Sequence, residues 1–227
     1  MAADAHAISR TLVEQIVREV VAKRLGDLTA KAKPAPGVSE LVVHASARHM
    51  HLCQADLETL FGPGHTLTPD KDLYQEGNYA AAETVTLLGP RRRPLPNVRV
   101  LGPLRKDSQV ELAFTDAIHL GIDAPVRISG NIDGTPGAIV IGPKGIVELK
   151  RGVIRALIHV HMNPAEAKHY GVKQGDRMKL RVVGPAPAVF ENVQVRIDPS
   201  SRLNVHMDTD EANACALHQA TGFELFT

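Results

Sequence analysis

The chain has 227 residues, with 26 Lys and Arg against 25 Asp and Glu, a formal net charge of +1. That balance speaks against a nucleic-acid binder, which carries a basic excess or stripe. With 44% hydrophobic and 22% charged residues the chain is globular rather than disordered, and no apolar run reaches the roughly 20 residues of a membrane span. Trp is absent, so the core must be aliphatic. The 11 His against 2 Cys mean that a transition metal would be held by imidazole and carboxylate rather than by thiolates.

In chain order, the pattern first predicts an amphipathic helix from Ile8 to Leu25. Ile8, Leu12, Ile16 and Val20 with Val13, Val17 and Val21 form one apolar stripe, and Arg10, Glu14, Arg18, Lys23 and Arg24 lie off it. Its acidic residues fit poorly with an organellar presequence, and it lacks the apolar core of a secretory signal. Residues 29–37 follow as a Pro-rich linker. A tethered helix of this kind suits a partner's groove, or packs back on its own domain or on a second copy.

Beyond the linker the chain reads as short strands separated by Gly-Pro, Asp-Gly and Pro-Gly turns. They are expected at Glu40–Ala45, Ala82–Leu88, Asn97–Leu101, Gln109–Ala113, Val126–Ser129, Ala138–Gly142, Gly145–Leu149, Val153–Val160, Arg177–Val183, Val189–Arg196 and Leu203–Met207. Helices are expected at Gln54–Phe61, Pro164–Tyr170 and Asp210–Gln219, the second opened by Asn163-Pro164 as N-cap and first-turn proline. The fold class is mainly β, closed or sandwiched.

Two stretches align without gaps at a spacing of 110 residues: Ser46–Asp56, holding His49-Met-His51, lies over Ala156–Glu166, holding His159-Val-His161. A second set aligns at 95. Gly89-Pro90 falls on Gly184-Pro185, Asn97–Val100 on Asn192–Val195, and Val110-Glu111 on Val205-His206. The difference of 15 fits a longer loop around Gly62–Asn78 in the first half. The chain therefore reads as two copies of one unit, each small for a core of its own.

The repeat sorts the histidines. Residues two apart on a strand share a face, so each His-x-His is a two-nitrogen claw. The first copy adds Glu111 and the second His206 at the equivalent position. Two His plus a carboxylate or a third His, with one position open, is the pattern of a catalytic divalent metal, and face-to-face copies could surround two. Zinc is the first expectation, because imidazole suits it. His6, His65, His119, His169 and His218 lack ligand-spaced partners, and His44 falls on the other strand face. Cys53 has no counterpart in the second copy, which carries Asn163, and reads as structural, as does Cys215. Arg105 and Lys106 follow a turn just before Glu111, where an Arg fork suits phosphate or carboxylate; a solvated surface turn accounts for them equally. Arg91-Arg92-Arg93 reads as solvated, and Ser129–Gly137 is Gly-rich but lacks the Lys-Ser/Thr of a phosphate loop.

Several segments closely resemble the PduL-type phosphate acyltransferases, the phosphate propanoyltransferases of bacterial microcompartments. They are Val98–Glu111, Thr115–Ala117, Ala124–Gly130, Gly134–Gly137, His159–Met162 and Asp208–Asn213, within a resemblance spanning about residues 38–222. It implies two β-barrel domains capped by short helices, residues 38–48 plus 157–227 forming one and 49–156 the other. Residues 1–28 then look like a targeting helix that binds shell or cargo proteins in the microcompartment lumen, in propanediol or fucose/rhamnose degradation. The implied reaction converts a short acyl-CoA, propanoyl-CoA foremost, and phosphate into acyl phosphate and CoA at a dizinc site. By residue match His49 and His51 would hold one zinc and His159, His161, His206 and Glu111 the other. Arg105 would hold phosphate, and Arg99, Leu101 and Asn213 would contact CoA. A homodimer is expected. Three residues depart from the family pattern: Ile158 for a usual Arg, Cys53 for Ser, and Asn204 for an acidic residue near His206. They bear on the ligands' surroundings and on acyl preference. A dizinc hydrolase of thioesterase type on the same ligands is the alternative, and a zinc-stapled scaffold without catalysis is a third reading.

Overall fold

The computed structural model describes residues 38–227 and, ahead of them, Val17. The expected targeting helix and linker otherwise lie outside the described residues. The chain enters through β1 (Val42–Ser46) and β2 (His49–His51), then α1 (Gln54–Phe61), β3 (Pro69–Asp72), β4 (Tyr79–Leu88), β5 (Pro94–Gly102), β6 (Gln109–Glu111) and α2 (Phe114–Leu120). The short strands β7 (Val126–Arg127), β8 (Ala138–Ile141), β9 (Ile146–Leu149) and β10 (Val153–Ala156) lead to β11 (His159–Met162) and α3 (Pro164–Tyr170). It closes with β12 (Arg177–Val183), β13 (Ala188–Ile197), β14 (Asn204–Asp208), α4 (Thr209–Ala214), a 3-10 turn at Leu217–Gln219, and β15 (Gly222–Phe226).

These strands form two curled sheets with few helices. The six-stranded sheet runs β1-β14-β11-β13-β12-β15, and the nine-stranded one β7-β10-β6-β2-β5-β4-β8-β9, with β3 on β4. Each covers its own aliphatic core. Met50, Leu57, Leu60, Val98, Val100 and Val110 belong to one, and Val160, Met178, Leu180, Val193, Val195 and Val205 to the other.

The registers of the two sheets match position for position. β2 pairs antiparallel with β6, setting His49 opposite Glu111, and parallel with β5, setting it opposite Arg99. β11 pairs antiparallel with β14, setting His159 opposite His206, and parallel with β13, setting it opposite Gln194. The ladder of β4 with β5 shifts register between Val85 and Leu87, and that of β12 with β13 between Met178 and Leu180. Beside each shift an Asn sits at positive φ, 57° at Asn97 and 66° at Asn192. Asn tolerates the left-handed region that a bulge requires. The strand before each claw crosses over: β1 pairs with β14, and β10 pairs with β6.

The crossing explains one difference from the sequence pattern. The single strand expected at Val153–Val160 is two, β10 and β11, because the chain leaves one sheet and joins the other at Leu157 and Ile158. Likewise the helix expected at Asp210–Gln219 ends at Ala214, and Ala216 turns to φ 47° before the 3-10 turn. Helix α2 is not among the expected helices; its N-cap is Ala113, whose side chain offers no cap, so the usual start signal is missing. Strand β3 is exposed along its whole length and shows no apolar alternation. Helix α3 has both of its signals: an Asn163–Glu166 capping box, and Gly171 at φ 67° closing the C-terminus.

Candidate metal centre

β2 carries His49 and His51 into a buried corner beside Glu111 of β6. Among the described residues these three offer ligand atoms that all lie within 4.8 Å of one another. His49 Nε2 is 3.5 Å and His51 Nε2 3.9 Å from the Glu111 carboxylate. The second nest is all imidazole. Ring centroids are 4.8 Å apart for His159 and His161, 5.3 Å for His159 and His206, and 5.1 Å for His161 and His206. His49, Glu111, His159 and His206 line one small pocket of about 20 Å³ between the sheets. Glu111 thus sits closest to His49 and His51, while its charge also acts on His159 and His206.

Backbone carbonyls set the rings. His49 Nδ1–H donates to Ala47 O, and His159 Nδ1–H to Leu157 O, each at 2.8 Å. A carbonyl can only accept, so the proton is on Nδ1 and the Nε2 lone pair faces the pocket, the orientation that metal-binding histidines take from their neighbours.

Burial favours the neutral form of four of the rings. It lowers the His51 pKa to about 3, helped by His49 and Arg105. It lowers His161 to about 2, helped by His159, His206 and Arg196, and His206 to about 3, helped by His159 and His44. His159 moves the same way, for the same first cause. Burial alone would raise Glu111, but His49, a hydrogen bond from Ser129, His51 and Arg105 bring it down to about 2. Imidazoles around one ionised carboxylate form a donor set for a divalent cation. His51 Nδ1 is buried beside the Leu101 backbone without a well-formed hydrogen bond, and its Nε2 is turned toward Glu111. The residues present therefore suit a zinc-class metal.

Around this centre stand Arg105 and Asn204, named from the sequence, and Gln109, Ser129, Gln75 and Arg196, which the sequence reading missed. Glu111 Oε1 accepts from Gln109 Nε2 and from Ser129 Oγ, both at 2.6 Å. Gln109 is two residues from Glu111 on the same strand face, a signal the sequence held. Ser129 comes from a distant loop, and nothing local announces it. Arg105 Nη1 donates to Ser129 Oγ at 3.0 Å, which brings its guanidinium to the rim of the first nest. Arg196 of β13 acts on His159 and His161, beside a cleft of about 430 Å³ that Gln75, His161 and Gln174 also line. Gln75 Nε2 donates to His161 Nε2 at 2.5 Å, and Asn204 Nδ2 to His206 Nε2 at 2.7 Å.

The residues expected to meet CoA are placed unevenly. Arg99 flanks the first claw, but its Nη1 donates to Ala81 O at 2.8 Å and lies 3.7 Å from Asp70. Leu101 is half-buried opposite Ala80. Asn213 is exposed near the end of α4 and is not among the residues lining the pocket between the nests. Cys53 is the N-cap of α1, without a side-chain cap bond.

Known proteins answer to this chain over most of its length. It is 53% identical over 223 residues to a phosphate propanoyltransferase of Planctopirus limnophila, covering 96% of this chain and 91% of that one. It is 50% identical over 184 residues to a phosphate propanoyltransferase of Thermotoga maritima, covering 81% and 86%. One from Salmonella typhimurium is 44% identical over 212 residues, covering 92% and 96%. The class is that of enzymes that pass an acyl group to phosphate, the phosphate acyltransferases. The profile of the family described as Phosphate propanoyltransferase matches residues 42–218, and the chain belongs to that family.

Proposed function

We propose that this enzyme interconverts propanoyl-CoA and phosphate with propanoyl phosphate and CoA at a centre of two zinc ions. The observation that carries the reading is the pair of nests in matching register, His49, His51 and Glu111 in one sheet and His159, His161 and His206 in the other, with His49, Glu111, His159 and His206 lining a shared pocket. These residues would hold the metals. Bound zinc supplies a Lewis acid for a thiolate leaving group and a thioester carbonyl.

The protein's own groups do the rest. Arg105, at the rim through its bond to Ser129, holds phosphate by charge-assisted hydrogen bonds so that an oxygen faces the acyl carbon. Ser129 and Gln109 fix the Glu111 carboxylate, and the Ala47 and Leu157 carbonyls keep the His49 and His159 protons off the nitrogens that face the pocket. In a ternary complex phosphate attacks directly, and no side chain is acylated. The CoA contacts fall to Arg99 and Leu101 beside the first claw and to Asn213.

The same reading takes the sheets as two copies of one unit, residues 38–48 with 157–227 and residues 49–156; the crossing of β1 and β10 supports that division. A homodimer fits the exposed apolar pair Phe114 and Ile118 on α2. Residues 1–28 carry the enzyme into a microcompartment lumen by binding shell or cargo proteins. Deleting residues 1–36 is expected to leave kcat unchanged and to abolish encapsulation.

The deciding experiment is CoA release from propanoyl-CoA with and without phosphate, before and after chelation. The reading expects release to need phosphate, to stop on chelation and to return with zinc. Equal release without phosphate points to a hydrolase on the same ligands.

A further inference from the structure

Each histidine nest is built inside one sheet, so each sheet fixes its own nest. The distance between the nests, across a pocket of about 20 Å³, depends on what joins the two sheets. The short β1–β2 and β10–β11 crossings and the Gln75 bond to His161 join them, and Arg155 adds a clamp beside the pocket. Arg155 lies on β10, in the nine-stranded sheet, next to Ile154, which stands opposite Glu111. Its Nε meets Asp208 Oδ2, and its Nη2 meets Glu211 Oε1 at 2.8 Å. Both carboxylates belong to the other half. Asp208 ends β14 two residues after His206 and lines the pocket itself.

The carboxylates are held from behind. Asp208 Oδ1 accepts from Glu211 N at 2.8 Å, and Glu211 Oε2 accepts from Asp208 N at 2.9 Å. This capping box uses one oxygen of each and leaves the other for Arg155. The guanidinium also stacks 4.2 Å from the Phe114 ring centroid at the start of α2. Beside it, Thr115 N and Oγ1 donate to Asp210 at 2.9 and 2.8 Å, tying the same two helix starts together. The trio is largely buried, at 16%, 8% and 15% side-chain exposure.

Among the described residues, the grip of one guanidinium on two carboxylates exists on this side alone. The position matching Arg155 in the first half is Ala45, and the residue matching Glu211 is Asp116, which pairs instead with Arg48 at 2.8 Å. The residue matching Arg48 is Ile158, which offers no charge, and Glu211 pairs with Arg155 instead.

We propose that Arg155 is a positioning residue that sets the spacing between the two histidine nests. A planar fork can grip two carboxylates at once, and a lysine ammonium cannot span them in the same way. Arg155→Lys therefore keeps the charge and loses the fixed geometry, and Arg155→Met removes both.

The test has two arms, the first read on metal-free protein. Ring-nitrogen NMR signals of His49, His159 and His206, which line the pocket, are expected to shift in Arg155→Lys, while those of exposed His169 and His218 stay in place. The second arm rests on the reading of the preceding subsection. In zinc-loaded Arg155→Lys, kcat is expected to fall about tenfold, with KM for phosphate and propanoyl-CoA moved less than about threefold. Arg155→Met is expected to fall further, with zinc still bound at both nests. Unmoved ring signals in Arg155→Lys, with or without a lower melting temperature, overturn the proposal and leave a salt bridge of structural value. Loss of zinc from Arg155→Lys also overturns it, because the role would then be metal retention. The ring signals decide the matter even where wild-type protein releases CoA without phosphate, a result that overturns the acyltransfer reading instead.

Discussion

The first nest carries a charge and the second does not. At matching positions one has Glu111 and the other His206, and their supports differ in the same sense. Gln109 and Ser129 both donate to Glu111, whereas Asn204, at the position matching Gln109, donates to His206 Nε2 and leaves its own buried Oδ1 unpaired. The first nest also brings its ligand atoms within 4.8 Å of one another. The second keeps the Nε2 atoms of His161 and His206 engaged by the carboxamides of Gln75 and Asn204. A cation entering the first nest meets a fixed carboxylate; one entering the second must displace amide donors. On the proposed reading, the same strand scaffold makes a tight site and a conditional one by changing a few side chains.

The largest test removes the charge. Glu111→Gln keeps the shape and is expected to lose one zinc equivalent and to lower acyl transfer by roughly 10³-fold, the scale of several kcal/mol of metal-derived stabilisation. Metal content by mass spectrometry and CoA release give the two readings. If zinc content holds at two equivalents, the first nest does not depend on its carboxylate. His206→Ala should act on the other side, removing the second equivalent, leaving the first, and costing about 10²-fold in rate, within the range of 10–100-fold in affinity or activity that groups around a metal command. Equal loss of both equivalents would mean that the nests bind as one cluster.

Arg105→Lys probes the rim rather than the nests. A charge-assisted hydrogen bond is worth about 1.5–3 kcal/mol, so KM for phosphate should rise about tenfold or more. KM for propanoyl-CoA and zinc content should stay near wild type. A change confined to kcat would assign Arg105 to something other than holding phosphate.

Much of this was legible in the residues. The offsets of 110 and 95 reappear in the ladders, with His49 opposite Glu111 and His159 opposite His206, and register places side chains. Helices α1 and α3 were legible from apolar spacing and, for α3, from its cap. Helix α2 was not, since its cap comes from Asp210 in the other half. Nor was the Ser129 bond to Glu111, which joins a distant loop to β6, or the Arg155 clamp, which exists only once the two sheets meet. Such contacts leave no period in the chain, because their partners are chosen by tertiary packing rather than by spacing. Gln109 could have been found, lying on the face of Glu111 two residues away.

The smallest effect sharpens the comparison most. Asn204 is fully buried, pairs with His161 across β11 and β14, and touches His206. Asn204→Asp leaves the size unchanged and adds one negative charge beside the second nest. A carboxylate accepts from a ring N–H and raises the basicity of the imidazole it holds. It also removes the amide donor from His206 Nε2, so that ring can offer its other nitrogen. The second zinc should then bind about tenfold tighter in competition with a chromophoric chelator, within the range reported for such neighbouring groups, while the first stays unmoved. Without metal the added charge is buried, and the apo protein should melt at a lower temperature, with zinc restoring the difference by mass action. If the second affinity is unchanged while apo stability falls, the contrast between the nests lies in Glu111 and His206 themselves and not in what holds them.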